Sequence, residues 1–399
     1  MTIDPQTAAE APLEPVGQID RRRQRGLFFL GLAVGSVGFC MAMQMGANSN
    51  FVADEMHLSG LQQGVLETFR ESCGIIALGV LALLSGFAEP LVGAAMLILL
   101  AVGMGAYAFV PDYGWLVLAS LVWSQGLHVW MPLPQSMTLA LAEPGQAGRR
   151  LGQIGAAGAV GSGTGLVAAY VLHRLGVQIR PLFMVGGAAG LLAAAACLGI
   201  PRQIKTPGPR LVFRRSYWLY YLLSFLEGWR KQIFIAFAGY LLVKRFHTPL
   251  KTMLLLWMAI QAIGWAGSPH VGRLIDRVGE RRVLVFYFAC LTGFFAAYAV
   301  VENRALLYTL YVVDSAFFVF AMALTTYVNR IAPPAEHTAT LSMGVAFNHI
   351  AAVTMPLVGG LLWKFAGYRW VFLLGAAAAA ASILAALAVP KHQPAAAHQ

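Results

Sequence analysis

The sequence predicts an all-α membrane protein of twelve transmembrane helices arranged as two six-helix bundles. Three observations predict it. The composition is 58% hydrophobic and only 11% charged, against roughly 25% charged in ordinary soluble domains. Twelve apolar runs recur along the chain, each near the roughly 20 residues that a bilayer-spanning helix needs. A proline-rich basic stretch then divides the runs six and six. None of the runs shows the alternation that marks strands.

In order, residues 1–26 hold Pro5, Pro12 and Pro15 and then Arg21-Arg22-Arg23-Gln24-Arg25. They read as a disordered, basic cytoplasmic tail that meets the membrane surface. Their length and acidic residues, and the length of the apolar run behind them, distinguish them from a cleaved signal peptide. The first bundle covers 27–200, with runs at 27–52, 60–86, 91–110, 115–142, 150–172 and 181–200. Residues 201–215 form a cytoplasmic linker, because Pro201, Pro207 and Pro209 cannot continue a helix. The second bundle covers 216–389, with runs at 216–243, 251–271, 283–301, 306–331, 341–366 and 370–389, before a cytoplasmic tail at 390–399. Pro132, Pro134 and Pro356 are expected to kink or break their helices.

Cation placement sets the orientation. Of the 28 Lys and Arg, 17 fall in connections on the side of the amino terminus, 8 in those on the other side, and 3 inside runs. The positive-inside rule then places both termini in the cytoplasm, in a multi-pass protein of a cell or inner membrane. The net charge of +11 follows from basic loops meeting an anionic leaflet, and no nucleic-acid partner is implied. Cys40, Cys73, Cys197 and Cys290 each stand alone in a different run, which predicts neither a disulfide nor a metal site.

The informative residues are the charges inside runs: Glu67, Arg70 and Glu71, then Glu227, Arg230 and Lys231, then Asp314. A charge at membrane depth is costly and usually faces a bundle interior or an aqueous path. Spacings of three and four place Glu227 beside Arg230 and Lys231, and Glu67 beside Arg70 and Glu71. Intrahelical pairs that merely neutralise one another are the structural alternative. Asp314 has no basic neighbour on its own helix, so it is the leading candidate for a coupling proton site, followed by Glu67 and Glu71 and then Glu227. Arg70, Arg230 and Lys231 would attract an anionic solute. Gln125, His128, Asn348 and His349 supply further polar groups, and Trp123, Trp130, Trp229, Trp257 and Trp265 are candidate cavity walls.

Between the eighth and ninth runs stands Gly272-Arg273-Leu274-Ile275-Asp276-Arg277-Val278-Gly279-Glu280-Arg281-Arg282. This resembles the signature loop of the major facilitator superfamily, G-x-L-x-D-R-x-G-x-R-R, at the expected place. The resemblance implies that Gly272 and Gly279 allow close helix approach and a tight turn. It also implies that Asp276, with Arg277, Arg281 and Arg282, holds the two halves together in one state of a transport cycle. In the first half Gly79 and Gly86 keep the spacing, but Leu83 replaces the acid. The run Gly155 to Gly165 resembles the glycine-rich fifth helix of the antiporters but lacks its proline, and small-residue packing accounts for it equally. The resemblance further implies that the first, fourth, seventh and tenth helices line a central cavity, with the third, sixth, ninth and twelfth outermost. Those last four runs carry no Asp, Glu, Lys or Arg, and neither do the first and the fourth.

No Walker phosphate loop, G-x-S-x-G or H-E-x-x-H occurs, so neither ATP-driven nor hydrolytic chemistry is expected. The expectation is a cofactor-free, monomeric secondary active transporter, not an enzyme. Its partners are a small organic anion or zwitterion, protons and the lipid bilayer. A drug-exporting carrier and a non-transporting sensor are the alternatives.

Overall fold

In the computed structural model the described residues are 16–143, 145–206, 213–333 and 336–391. They form twelve helical rods, with a single bridge between Ala88 and Lys205 as the only β pairing. The first half contains α1 (Val16–Asn50, extended by a π turn, Phe51–Glu55), α2 (Gly60–Leu83) and α3 (Glu89–Ala106). It continues with α4 (Tyr113–Trp130, resumed as Leu133–Leu141), α5 (Ala147–Arg174) and α6 (Ile179–Cys197). The second half contains α7 (Trp218–Ile233, a π turn Phe234–Ala238, then Gly239–Lys244), α8 (Leu250–Val278) and α9 (Glu280–Val300). It ends with α10 (Arg304–Phe317, a 3-10 turn Phe318–Ala321, then Met322–Ile331), α11 (His337–Ala366) and α12 (Tyr368–Leu387). Ten rods are long and apolar enough to cross a membrane on composition alone. The exceptions are α2 and α7, the two rods that carry three charges near their middle.

Local chemistry sets the rod ends. Ser59 and Gln62 form a capping box at α2, while the Asp112 and Asn303 side chains accept from the first turns of α4 and α10. Pro132 interrupts α4 as expected, whereas Pro356 stays inside an unbroken α11. Residues 16–26, expected as part of an irregular tail, instead continue α1 towards its amino end. Phe28, Leu191, Trp370 and Leu384 are exposed, and in a bilayer such a surface needs no burial. Small residues therefore dominate the close interior contacts. Gly35 and Gly38 of α1 meet Gly161 and Gly158 of α5 backbone to backbone, so the glycine run of α5 has a packing function.

The backbone records a duplication that the loop sequences blur. Positive φ occurs at His57 (51°) and His247 (52°), after the first rod of each half. It recurs at Gly86 (84°) and Gly279 (82°), after the second rod, and at Gly176 (90°) and Gly367 (92°), before the last. Equivalent turns thus share one conformation even where Leu83 has replaced an acid. The first-half turn has a neighbour of its own. Thr206 N donates to Phe87 O at 2.8 Å and Glu89 N to Ile204 O at 2.8 Å, so the linker pairs with that loop.

The halves meet at the end remote from the linker. There Tyr240 Oη donates to Leu58 O at 2.6 Å, Asn50 Nδ2 to Thr248 O at 2.9 Å and Gln63 Nε2 to Ala236 O at 3.1 Å. Gly64 of α2 lies so close to α11 that a Cβ there would stand 2.9 Å from Gly360 Cα. Contact between α2 and α11 continues to mid-depth through Thr68 Oγ1, which donates to Val353 O at 3.0 Å. Towards the linker end, Gly79 and Gly86 of the first half and Gly264, Gly267 and Gly272 of the second would offer a Cβ open space. The hydrogen bonds between the halves thus run from the end remote from the linker to mid-depth.

Candidate solute site between the two halves

Two charged clusters occupy mid-depth, and they differ in what encloses them. The first spans the interface. On α2, Arg70 is ion-paired with Glu67 and lies 3.6 Å from Glu71 Oε1, with its guanidinium over the Trp123 ring at 5.6 Å. Glu71 Oε2 faces His349 Nδ1 of α11 at 3.8 Å, and the His349 ring meets His128 of α4 edge-on at 5.3 Å. Also in the second half, Lys231 Nζ of α7 donates to Asn348 Oδ1 of α11 at 2.8 Å. The Arg70, Glu71 and His349 side chains keep 13%, 15% and 18% of their surface exposed, so the cluster is partly open. Of the expected solute-binding residues, Arg70, His128, Asn348, His349 and Lys231 are therefore gathered at or beside one place. Gln125 makes no hydrogen bond to them, and its amide nitrogen is buried without a partner.

The second cluster lies within the second half and is sealed. Arg230 is wholly buried, Asp314 likewise, and Glu227 is 4% exposed. Arg230 bonds to Glu227 and, at 2.6 Å, to Tyr287 Oη, which itself donates to Glu227 Oε1 at 2.9 Å. The guanidinium sits over the Phe318 ring at 4.5 Å, and its Nη1 lies 3.8 Å from Asp314 Oδ1. Asp314 has no cation on its own helix, as expected, and the nearest one is supplied by α7. In this conformation Arg230 faces Tyr287 of α9 and Phe318 and Asp314 of α10 rather than the first cluster. Chemically the cluster holds two carboxylates around one guanidinium, a net negative charge unless one carboxyl carries a proton.

Sequence reasoning missed Tyr287 and Phe318, which lie in apolar runs and betray no polar role by composition. Of the tryptophans, Trp123 lies under the Arg70 guanidinium of the first cluster, and the others lie against packed residues or the surface. Trp123 and Trp130 are buried in the first half, Trp123 donating to Tyr107 Oη at 3.0 Å, and Trp257 stands edge-on to Tyr311. Trp265 is half-exposed and borders Gly163 of α5.

The loop of the family-like motif lies at the linker end. Gly279 turns the chain from α8 into α9 with φ 82°, and Asp276, Arg277 and Arg282 are exposed. Among the described residues no ion pair joins this loop to the first half. Its neighbour Glu280 pairs with Arg330 of α10 at 3.1 Å.

Two six-helix halves with charges held at mid-depth define a polytopic helical membrane fold. Residues 216–399 match the family model of the Major Facilitator Superfamily, and no curated protein matches the chain. Among solved structures, the nucleoside transporter NupG aligns at a TM-score of 0.75 and 15% identity, covering 92% of this chain and 99% of that one. A mutant form of NupG aligns at 0.76 and 14%, covering 92% and 100%. A bacterial homologue of the human lysosomal transporter Spinster, in an inward-facing and occupied conformation, aligns at 0.73 and 14%, covering 94% and 99%. The chain shares the fold of these transporters over nearly its whole length, and residues 216–399 carry the match to the Major Facilitator Superfamily model.

Proposed function

We propose that this chain is a proton-coupled secondary active transporter that moves a small organic anion or zwitterion across the cytoplasmic membrane by alternating access. The observation that carries this reading is the partly open cluster of Arg70, Glu71, His128, Lys231, Asn348 and His349, contributed by both halves at mid-depth. Rocking one half against the other would expose that place to each side in turn. Lys231, held by a neutral amide rather than a carboxylate, is the cation with most capacity left for a solute carboxylate or phosphate. Arg70 would exchange part of its contact with Glu71 for the solute. The sealed Glu227–Arg230–Asp314 cluster would store the coupled proton, since a proton on one carboxyl removes its net charge. With the linker face cytoplasmic, as cation placement supports, this conformer is inward-open. Asp276 and its arginines would then engage the first half in the opposite state.

The aromatic richness that favours a drug exporter is largely spent on packing. Phe317 meets Phe286, Phe294 and Phe320, and Phe234 meets Tyr311 and Phe318. The test is a thermal-stability screen of purified protein against organic anions, zwitterions, nucleosides and amphipathic cations. Stabilisation by a carboxylate or phosphate compound, lost in Lys231→Gln, is expected. Stabilisation by amphipathic cations alone would overturn the assignment.

A further inference from the structure

Where the first cluster crosses the interface, it contains a second constellation. Glu71 of α2, His128 of α4 and His349 of α11 each offer one ligand atom, and these atoms lie within 4.8 Å of one another. We propose that these three side chains form a divalent transition-metal site that bridges the two halves and holds the present conformer.

Four observations carry it. First, the donor set is two imidazoles and one carboxylate, which suits zinc, cobalt or nickel rather than the all-oxygen preference of magnesium or calcium. Second, His128 Nδ1 lies 2.8 Å from the Ser124 carbonyl oxygen. A proton donated there leaves Nε2 with its lone pair, the usual outer-shell device for orienting a ligating histidine. Third, His349 Nδ1 is buried without a hydrogen-bond partner and faces Glu71 Oε2 at 3.8 Å. Ligand atoms about 2.0–2.1 Å from a tetrahedral zinc stand roughly 3.4 Å apart, so this pair needs only a small adjustment. Fourth, Gly74 lies one turn after Glu71, where a Cβ would fall 2.5 Å from His349 Nδ1 and Cε1. The missing side chain is what lets the α11 imidazole lie against α2.

The neighbouring cations are already engaged. Arg70 is ion-paired with Glu67 and approaches Glu71 through Oε1, leaving Oε2 towards His349. Lys231 is bonded to Asn348. Their positive charge weakens the site without removing a ligand. Because α2 and α4 belong to one half and α11 to the other, a bound ion would cross-link the halves at the depth where their contact ends. Rocking would then require the ion to leave. This inference does not depend on the transport reading: a chain that bound metal here but carried no solute would keep the one and lose the other.

The experiment uses the full chain, purified and stripped with a chelator, and titrated with Zn²⁺ or Mg²⁺ while thermal unfolding is followed. Co²⁺ is added in parallel as a spectroscopic probe. Distances between labels on the linker-end tips of the two halves are measured with and without Zn²⁺. Zn²⁺ but not Mg²⁺ should raise the unfolding midpoint at one equivalent per chain. Co²⁺ should give the visible band of a nitrogen-coordinated ion, and the distances should collapse to a single, wide population. His128→Asn, His349→Asn and Glu71→Gln should each weaken the effect at least about tenfold, while His270→Asn, an exposed position on α8 outside the cluster, should leave it intact. Equal stabilisation by Mg²⁺, an unchanged Zn²⁺ response in the double variant His128→Asn/His349→Asn, or binding without a change in distances would overturn the proposal. The Co²⁺ spectrum of the unmutated chain decides the matter even if a variant fails to fold: absence of the band refutes the site.

Discussion

Replacing Arg230 by methionine should cost folding stability before it costs a substrate. Arg230 and Asp314 are fully buried and Glu227 nearly so, so the substitution leaves two carboxylates facing each other without a cation. Breaking a buried ion pair by removing one partner costs about 3–5 kcal/mol. The variant also loses the 2.6 Å bond to Tyr287 and the contact over Phe318 at 4.5 Å, the latter worth up to about 2 kcal/mol when desolvated. These contributions overlap, which places the total towards the upper part of that range rather than beyond it. Removing the carboxylates as well, in Glu227→Gln/Arg230→Met/Asp314→Asn, should recover most of the loss, because a neutral buried cluster is often as stable as a paired one. The assay is thermal unfolding in one detergent at one scan rate, which keeps irreversible unfolding comparable between variants. If Arg230→Met unfolded with the unmutated chain, or if the triple variant were no better than the single, the sealed-cluster argument would fail. Alanine at this position should likewise impair folding, the reverse of what a solute-facing arginine would give.

Other expectations follow from the same geometry. Gly64→Ala places a Cβ against Gly360 backbone, so α2 and α11 must separate; labels on Leu61 and Lys364 should report a longer distance and a larger population open at that end. Asp276→Asn should leave ligand affinity unchanged and slow cycling, with label distances showing more of the present conformer, since Asp276 is exposed and unengaged here. Glu336, at the connection into α11, is held below its ordinary value of 4.5 first by the hydrogen bond from Arg214 and then by that from Tyr217. Its stabilising contribution is therefore fully present above that value and lost as pH falls below it. Glu336→Gln should flatten the acid limb of the unfolding-midpoint profile, and an unaltered limb would remove the latch between the start of α7 and the start of α11.

The apolar runs were legible because a bilayer demands long, unbroken, nearly charge-free helices, and prolines such as Pro201 stop them. Charges at depth were legible for the converse reason. What the sequence could not reveal was which face of its helix each charge occupies relative to neighbours from other rods. Glu227, Arg230 and Lys231 look like one constellation along α7. In space Arg230 turns to Tyr287 and Asp314 inside the second half, while Lys231, one residue on, turns to Asn348 beside the interface. A step of one residue rotates a helical side chain by about 100°, enough to separate a packing charge from an accessible one. Tyr287 and Phe318 stayed hidden because aromatics in an apolar run carry no signal of their own. Leu83 blurs the likeness of the two equivalent loops, which nonetheless share a positive φ at Gly86 and Gly279.

The central claim, solute movement coupled to protons through the second-half carboxylates, is tested most directly by proton flux. Purified protein is placed in liposomes loaded with a pH-sensitive dye, and the compound that stabilises it in the thermal screen is added outside. The account predicts a solute-dependent change in internal pH, abolished in Asp314→Asn while exchange of labelled solute across the same membranes survives. Solute transport with no accompanying proton movement, or proton movement undiminished in Asp314→Asn and lost instead only in Glu71→Gln, would contradict it.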